Sequence, residues 1–448
     1  MKRCKVLLFL LGLGLMFSSA AQAVDVKVGG EFMAGGMYLD KTTVKKDTAT
    51  DGPSTAFYFQ RLRAKADLIV VPGLSLITRF DVMERSWGAQ RSDVPLKTTL
   101  DTMSAGTRAE NENIAFDWVY VHYNSPIGQW RVGYMTDGAW GTVFMDTSTP
   151  KGKIAWSYNA PNWMYTIQIV KMAENSRTAI NPAAASDLDG DKYCTAFRYN
   201  WKSAEAGILI GQGRDAAKKP GVTPNNGYKG LYNNFMPYAK AQIGPVKLQT
   251  EAIYFIGKLK DYEDDASGQD VQLSALSAWV DATADFGRFY AGGTFAYVAG
   301  DDPGTLDKAE GDALRNNGGR DWSPCLIMWN EERTYWTGAI PGHDNVAQTG
   351  PMYNTWFLQA RGGVRPIDKL DIMASVSYAS ADKKPTAAWL YNDYGYEVDL
   401  TATYKITNNL SYMVGAGYLF TGKYFRGETD SNALNNDYLV INKLTLTF

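Results

Sequence analysis

Apolar residues recur at every second position through most of this chain, and that habit restricts it to β structure. Val26 and Val28 lead to Phe32, Ala34 and Tyr38, and Leu62, Ala64, Ala66, Leu68 and Val70 keep the same beat. It returns in Leu370, Ile372, Ala374, Val376 and Tyr378, in Tyr394 through Ile406, and in Leu410, Tyr412, Val414, Ala416, Tyr418 and Phe420. Period two puts each set on one face of a strand, where a helix would need a period of 3.6.

The breaks between these runs are of two kinds, and the kinds alternate. Short ones carry turn chemistry: Val71-Pro72-Gly73, Asn124 to Gly128, Asn159 to Asn162, Lys202 to Glu205, Gly244-Pro245, Asp285 to Gly287, Pro366 to Lys369 and Thr407 to Asn409. Between them lie long polar stretches near 40–54, 86–112, 136–151, 174–191, 214–232, 259–269, 300–350, 381–392 and 422–434. Tight turns at one rim and long loops at the other describe an all-β, transmembrane, antiparallel up-and-down barrel. Eight short and nine long connections predict about 18 strands, or 16 if one strand has been divided wrongly.

No apolar stretch of the mature chain nears the ~20 residues a membrane helix needs. Alternation removes that objection to a membrane site, because half of each strand can face lipid while the other half faces water. Twenty-seven Tyr and thirteen Trp suit strands and membrane interfaces. They gather near strand ends: Tyr123, Trp130, Tyr158, Trp163, Trp201 and Tyr404 by the short turns, and Tyr38, Tyr58, Tyr134, Trp356, Tyr396 and Tyr418 by the long loops.

Residues 1–23 read as a cleaved export signal, with basic Lys2, Arg3 and Lys5, an apolar run from Val6 to Phe17, and the small-residue ending Ala21-Gln22-Ala23. Cys4 precedes the apolar run, so it is not a lipid-anchor site. Residues 24–448 then form one domain, with 42 Lys and Arg against 47 Asp and Glu, a formal charge of −5. Mild acidity argues against nucleic acid as a partner.

Parity assigns the interior. With Leu62, Ala64, Ala66 and Leu68 outward, Arg61, Arg63, Lys65 and Asp67 point in; with Leu74, Leu76, Phe80 and Val82 outward, so do Arg79, Asp81 and Arg85. The opposite choice would put Arg and Lys into lipid at ~2–4 kcal/mol each. Symmetric pairing across the Pro72-Gly73 turn sets Arg63 against Asp81 but Lys65 against Arg79, which suggests a basic wall facing water. Arg131, Arg198, Arg361 and Arg365 share the inward parity, as do the acids Glu31, Glu251, Asp281, Glu397 and Asp399. These residues are the predicted pore lining.

The 300–350 stretch exceeds the ~12–15 residues usual for a structureless loop. It holds Trp322, Leu326, Ile327, Met328, Trp329 and Trp336, an apolar group that should pack inside the barrel mouth or against another subunit. The 136–151 loop, with Asp137, Trp140, Phe144 and Asp146, competes for the inward role. Cys194 and Cys325 either form a disulfide that pins the long loop to the wall or remain two free thiols. Asp187, Asp189 and Asp191 have some of the spacing of a Ca2+ loop, but Arg198 stands where its bidentate Glu would be. No cofactor is expected otherwise. A hydrolase would need a positioned base, and only His122 and His343 are available. No catalytic role is assigned to either.

The last strand, Leu444-Thr445-Leu446-Thr447-Phe448, resembles the closing strand of the Gram-negative outer-membrane porin superfamily, although Asn442 breaks its apolar face. Gly300-Asp301-Asp302-Pro303 and Asp321-Trp322-Ser323-Pro324 resemble loops of large porins of delta-class proteobacteria. The resemblance implies a barrel-insertion signal in Leu444, Leu446 and Phe448, opposed basic and acidic walls, an inward-folded loop and a homotrimer. It further implies a water-filled channel in the outer membrane that passes small hydrophilic solutes and ions, or a substrate-specific variant of one, which the local Arg group would lean towards anions.

Overall fold

A computed structural model describes residues 24–46, 52–88, 114–175, 188–218, 227–262, 268–345, 347–348 and 350–448. The export-signal segment lies outside them. Eighteen long strands follow one another along the chain. The first nine are β1 (Asp25–Leu39), β2 (Thr55–Val71), β3 (Leu74–Ser86), β4 (Ala115–Ser125), β5 (Gly128–Asp137), β6 (Thr149–Asn159), β7 (Trp163–Ala173), β8 (Gly190–Asn200) and β9 (Ala204–Lys218). The second nine are β10 (Tyr228–Ile243), β11 (Val246–Tyr262), β12 (Val271–Asp285), β13 (Phe289–Val298), β14 (Thr355–Ile367), β15 (Leu370–Ala381), β16 (Asp393–Lys405), β17 (Leu410–Thr421) and β18 (Asp437–Thr447).

Each strand pairs antiparallel with the next, and the ring closes because β1 pairs on one side with β2 (Phe32 opposite Leu62) and on the other with β18 (Phe32 opposite Leu446). The final residue completes the seam: Gly30 N donates to Phe448 O at 2.9 Å and Phe448 N to Gly30 O at 3.0 Å. Closure leaves no edge strand, the condition for a sheet to survive in lipid. The strand number is therefore 18 and the 16-strand option falls.

Tight turns join the strands at one rim. Pro72-Gly73 and Gly244-Pro245 each need a residue at positive φ, and Gly73 (85°) and Gly244 (58°) supply it. The long loops leave the opposite rim, which is the outer end in barrels of this kind.

Burial confirms the alternation. On β16, Tyr396, Val398 and Leu400 are exposed, whereas Glu397 and Asp399 between them are buried. Leu358, Val376, Val414 and Val440 continue the exposed apolar band on neighbouring strands, a surface suited to lipid or to the apolar face of another subunit. Tyr123, Tyr158, Trp163, Trp201 and Tyr404 lie exposed towards the tight-turn rim, and Tyr58, Tyr134, Trp356, Tyr396 and Tyr418 towards the other.

The apolar cluster lies inside the ring, where the chain between β13 and β14 packs against inward-facing residues of the strands. Trp322 meets Phe144, Trp279 and Phe357 at ring distances of 5.2, 6.1 and 5.8 Å, and Trp329 meets Phe357 and Tyr394. The same loop carries one short helix, α1 (Glu331–Thr337), capped by the Asn330 side chain on Arg333 N. Both loops expected to compete for the inward position occupy it, since Phe144 and Met145 belong to the same cluster.

Candidate functional site: the barrel interior

Two environments divide the inward face. Towards the outer end, inward residues are covered by the docked loops: Phe255 on β11, Trp279 on β12, Ala296 on β13, Phe357 on β14, Leu419 on β17 and Met37 on β1 are all buried. The buried carboxylates of the wall hold these loops in place. Glu397 accepts Ile327 N at 2.6 Å and Met328 N at 2.7 Å. Glu251 accepts Thr142 N at 2.8 Å and Thr142 Oγ1 at 2.5 Å. Gln359 Nε2 donates to Pro324 O at 2.7 Å, and Lys443 pairs with Glu332 at 2.8 Å. Glu251, Glu397 and Asp399, expected to face the pore water, are instead buried under the loops. A carboxylate that satisfies two loop N–H groups removes the desolvation penalty that would otherwise keep those loops in water. In the 138–148 loop, Asp146 accepts Trp140 N at 2.7 Å, while burial, with Asp321 nearby, pushes its carboxyl up to about 7.

Towards the tight-turn rim the interior carries charge, and much of it is wet. The predicted register occurs, with Arg63 opposite Asp81 and Lys65 opposite Arg79. Arg63 makes a two-pronged bond to Asp81 at 2.7 and 2.6 Å. Arg61 reaches Glu31 and Glu84, both at 3.5 Å, and Lys65 reaches Asp67 at 3.0 Å. Arg79 forks onto Asp117 and lies 3.8 Å over the ring of Trp118. Around the ring, Arg131 meets Ser157 Oγ, Arg198 meets Glu205, Arg361 meets Asp281, and Arg365 meets Asp285 and Asp371. Arg63, Lys65 and Arg198 keep 32%, 41% and 36% of their side-chain surface open, unlike the covered acids above them.

The expected basic wall is thus a ladder of ion pairs, and two bulges account for the difference. Met83 takes φ 54° and the β2/β3 register slips there, so Glu84 faces Arg61 while Arg85 falls opposite Gln60, on the outward face. A second slip between Arg79 and Phe80 brings both Asp117 and Trp118 to Arg79. Simple parity places Arg85 inside and overlooks Glu84, Asp117 and Trp118. Only the bulges add these residues, and a period-two reading has no signal for a bulge.

The remaining candidates are dispersed. Cys194 lies on β8 and packs beside Asn234 and Gly211, whereas Cys325 lies in the docked loop against Ser377 of β15. Both thiols are buried and free, so the disulfide option gives way to two unpaired thiols. Of the three aspartates with Ca2+-like spacing, Asp187 lies outside the described residues, and Lys171 bonds Asp189 at 2.6 Å and Asp191 at 3.1 Å, putting an ammonium group where a cation would sit. His122 meets Asn124 and His343 meets the Ala433 carbonyl; among the described residues neither is joined to a serine and an acid. Cys325, Glu397 and Asp399 are the described residues that gather as metal ligands could.

No family model and no curated protein matches the sequence. Solved structures do. Pseudomonas aeruginosa OccK9 (OpdG) superposes with a TM-score of 0.53 at 13% identity, covering 95% of this chain and 99% of that one. The chain has the fold of an outer-membrane porin. OccD1 (OprD) gives 0.51 at 10% identity over 96% and 98% of the two chains, and OpdQ of Pseudomonas aeruginosa gives 0.50 at 10% over 95% and 98%. At these identities the likeness concerns the porin fold, and the chemistry of the interior rests on this chain's own residues.

Proposed function

We propose that the chain is an outer-membrane porin whose water-filled lumen passes small hydrophilic solutes and ions by passive diffusion. The observation that carries this reading is the solvated charge ladder inside a closed 18-strand ring, since barrels of this size leave an aqueous channel that smaller ones fill with side chains. Two docked loops narrow the outer half of that lumen, which supports a second reading, a substrate-specific channel. Because Glu31, Glu84, Asp81, Asp117 and Asp67 neutralise the cationic side chains beside them, any anion preference rests on a small local excess of charge. The porin fold supports a homotrimer in a Gram-negative outer membrane, reached by export through residues 1–23. The Gly300-Asp301-Asp302-Pro303 and Asp321-Trp322-Ser323-Pro324 loops support a place among the large porins of delta-class proteobacteria.

Proteoliposome swelling in isosmotic neutral sugars and amino acids of graded size tests the proposal. A general porin gives swelling rates that fall smoothly with solute size, and a specific channel admits one solute out of size order. Vesicles that fail to swell in every solute, with the barrel folded, would sink both readings.

A further inference from the structure

The sulfur of Cys325, a carboxylate oxygen of Glu397 and one of Asp399 lie within 4.8 Å of one another, and all three residues are buried. Glu397 and Asp399 stand two residues apart on β16, so the pleat presents both carboxylates side by side to the interior. The Glu397 oxygens each accept one loop amide and keep a lone pair. Asp399 is 3% exposed, yet its Oδ1 has no hydrogen-bond donor. No Lys or Arg forms an ion pair with either acid among the described residues. Gly417 of β17 stands directly opposite Asp399, and a Cβ there would come within 2.6 Å of that same Oδ1. The missing side chain lets that oxygen, the one without a donor, sit against the β17 backbone beside Glu397 Oε1.

Two adjacent carboxylates in a dry interior repel each other, and only a proton or a cation relieves the strain. A proton shared by the two acids meets that need when no cation is bound, and the thiol beside them decides which cation could replace it. Sulfur is a poor ligand for Ca2+ or Mg2+, whereas one sulfur with two carboxylate oxygens suits a borderline metal of the zinc class. Tetrahedral Zn2+ with bonds of ~2.3 Å to sulfur and ~2.0–2.2 Å to oxygen separates its ligands by about 3.4–3.6 Å. From separations of at most 4.8 Å the three atoms need to draw in by no more than about 1.4 Å, and the Cys325 thiol, which donates to Ser377 Oγ at 3.4 Å, would give up that bond on binding.

We propose that Cys325, Glu397 and Asp399 form a zinc-class divalent metal site that staples the inward loop to the barrel wall. Binding forms a metal–sulfur bond and releases the thiol proton to solvent, so occupancy falls at low pH. The site does for Cys325 what a disulfide to Cys194 would have done, fixing a loop to the wall, but on a different side of the ring.

Cobalt is the probe, because its bond to a thiolate absorbs visibly where its bonds to oxygen do not. The protein is unfolded in urea with chelator, refolded into detergent with Co2+, and desalted. The expected result is about one retained cobalt per chain, with a sulfur-to-cobalt charge-transfer band that Zn2+ abolishes. The band should persist in Cys194→Ser and vanish in Cys325→Ser, with folding of each checked by heat-dependent gel mobility. A folded wild-type or Cys194→Ser protein without the band overturns the proposal, as does a folded Cys325→Ser protein that keeps it. Should Cys325→Ser not fold, the wild-type and Cys194→Ser spectra still decide.

Discussion

Replacing Trp322 by Ala should release the long loop while leaving the barrel closed. The indole is 8% exposed and makes edge-on contacts with Phe144, Trp279 and Phe357. Truncating a buried Trp costs about 3–5 kcal/mol, and the three aromatic pairs, at ~0.5–1.5 kcal/mol each, account for much of it. Few of those contacts bear on the strand ladder, so the loss falls on docking of the loop. At ~1.4 kcal/mol per decade, loop opening should become about a hundred- to several-thousand-fold more frequent. Hydrogen exchange reads this directly at the amides of Ile327 and Met328, both held by Glu397. They should exchange faster by that factor in the variant, while the amides of Gly30 and Phe448 at the barrel seam stay protected. Unchanged exchange at Ile327 and Met328 would refute the claim that aromatic packing docks the loop, and equal loss at the seam would show that loop and barrel unfold together.

Three further outcomes follow from particular contacts. Arg79→Ala leaves Asp117 inside the lumen without its fork, at a cost of about 1–3 kcal/mol, and should move the reversal potential in a salt gradient towards cation preference. Asp146 holds its proton up to about 7 when the 138–148 loop is docked and releases it at ordinary carboxylate values when undocked. Docking is then strongest below about pH 4 and weakens as pH rises towards 7, and Asp146→Asn should flatten that slope in exchange rates corrected for intrinsic pH dependence. Gly30→Val should lower the yield of closed barrel on gels, because a Cβ there would lie 2.5 Å from Arg63 O and 2.7 Å from the ring of Phe448.

The alternation, the tight turns and the strand count were legible in the sequence because each is local: a pleat fixes parity, and Pro, Gly, Asn and Asp mark where it stops. The charged interior followed from the same parity, down to the register of Arg63 with Asp81. The bulges at Met83 and before Trp118 were not legible, because one extra residue reverses parity without altering composition. Simple parity therefore puts Arg85 inside and misses Asp117. The inward course of the 299–354 segment was signalled by its tryptophans. Its anchoring by Glu397 could not be, since a carboxylate that will accept loop amides 70 residues away reads the same as one that will face water. Asn442, out of pattern on the last strand, lies opposite Gly36 and donates to its carbonyl at 3.5 Å, so the polar group meets backbone where no side chain competes.

Single-channel recording in a planar bilayer tests the central claim most directly. Purified, folded protein should give stable conductance steps with a modest ion preference, and reversing the charges of Arg61, Arg63 and Arg79 together should move the reversal potential towards cations. A folded barrel that inserts and carries no current would contradict the account.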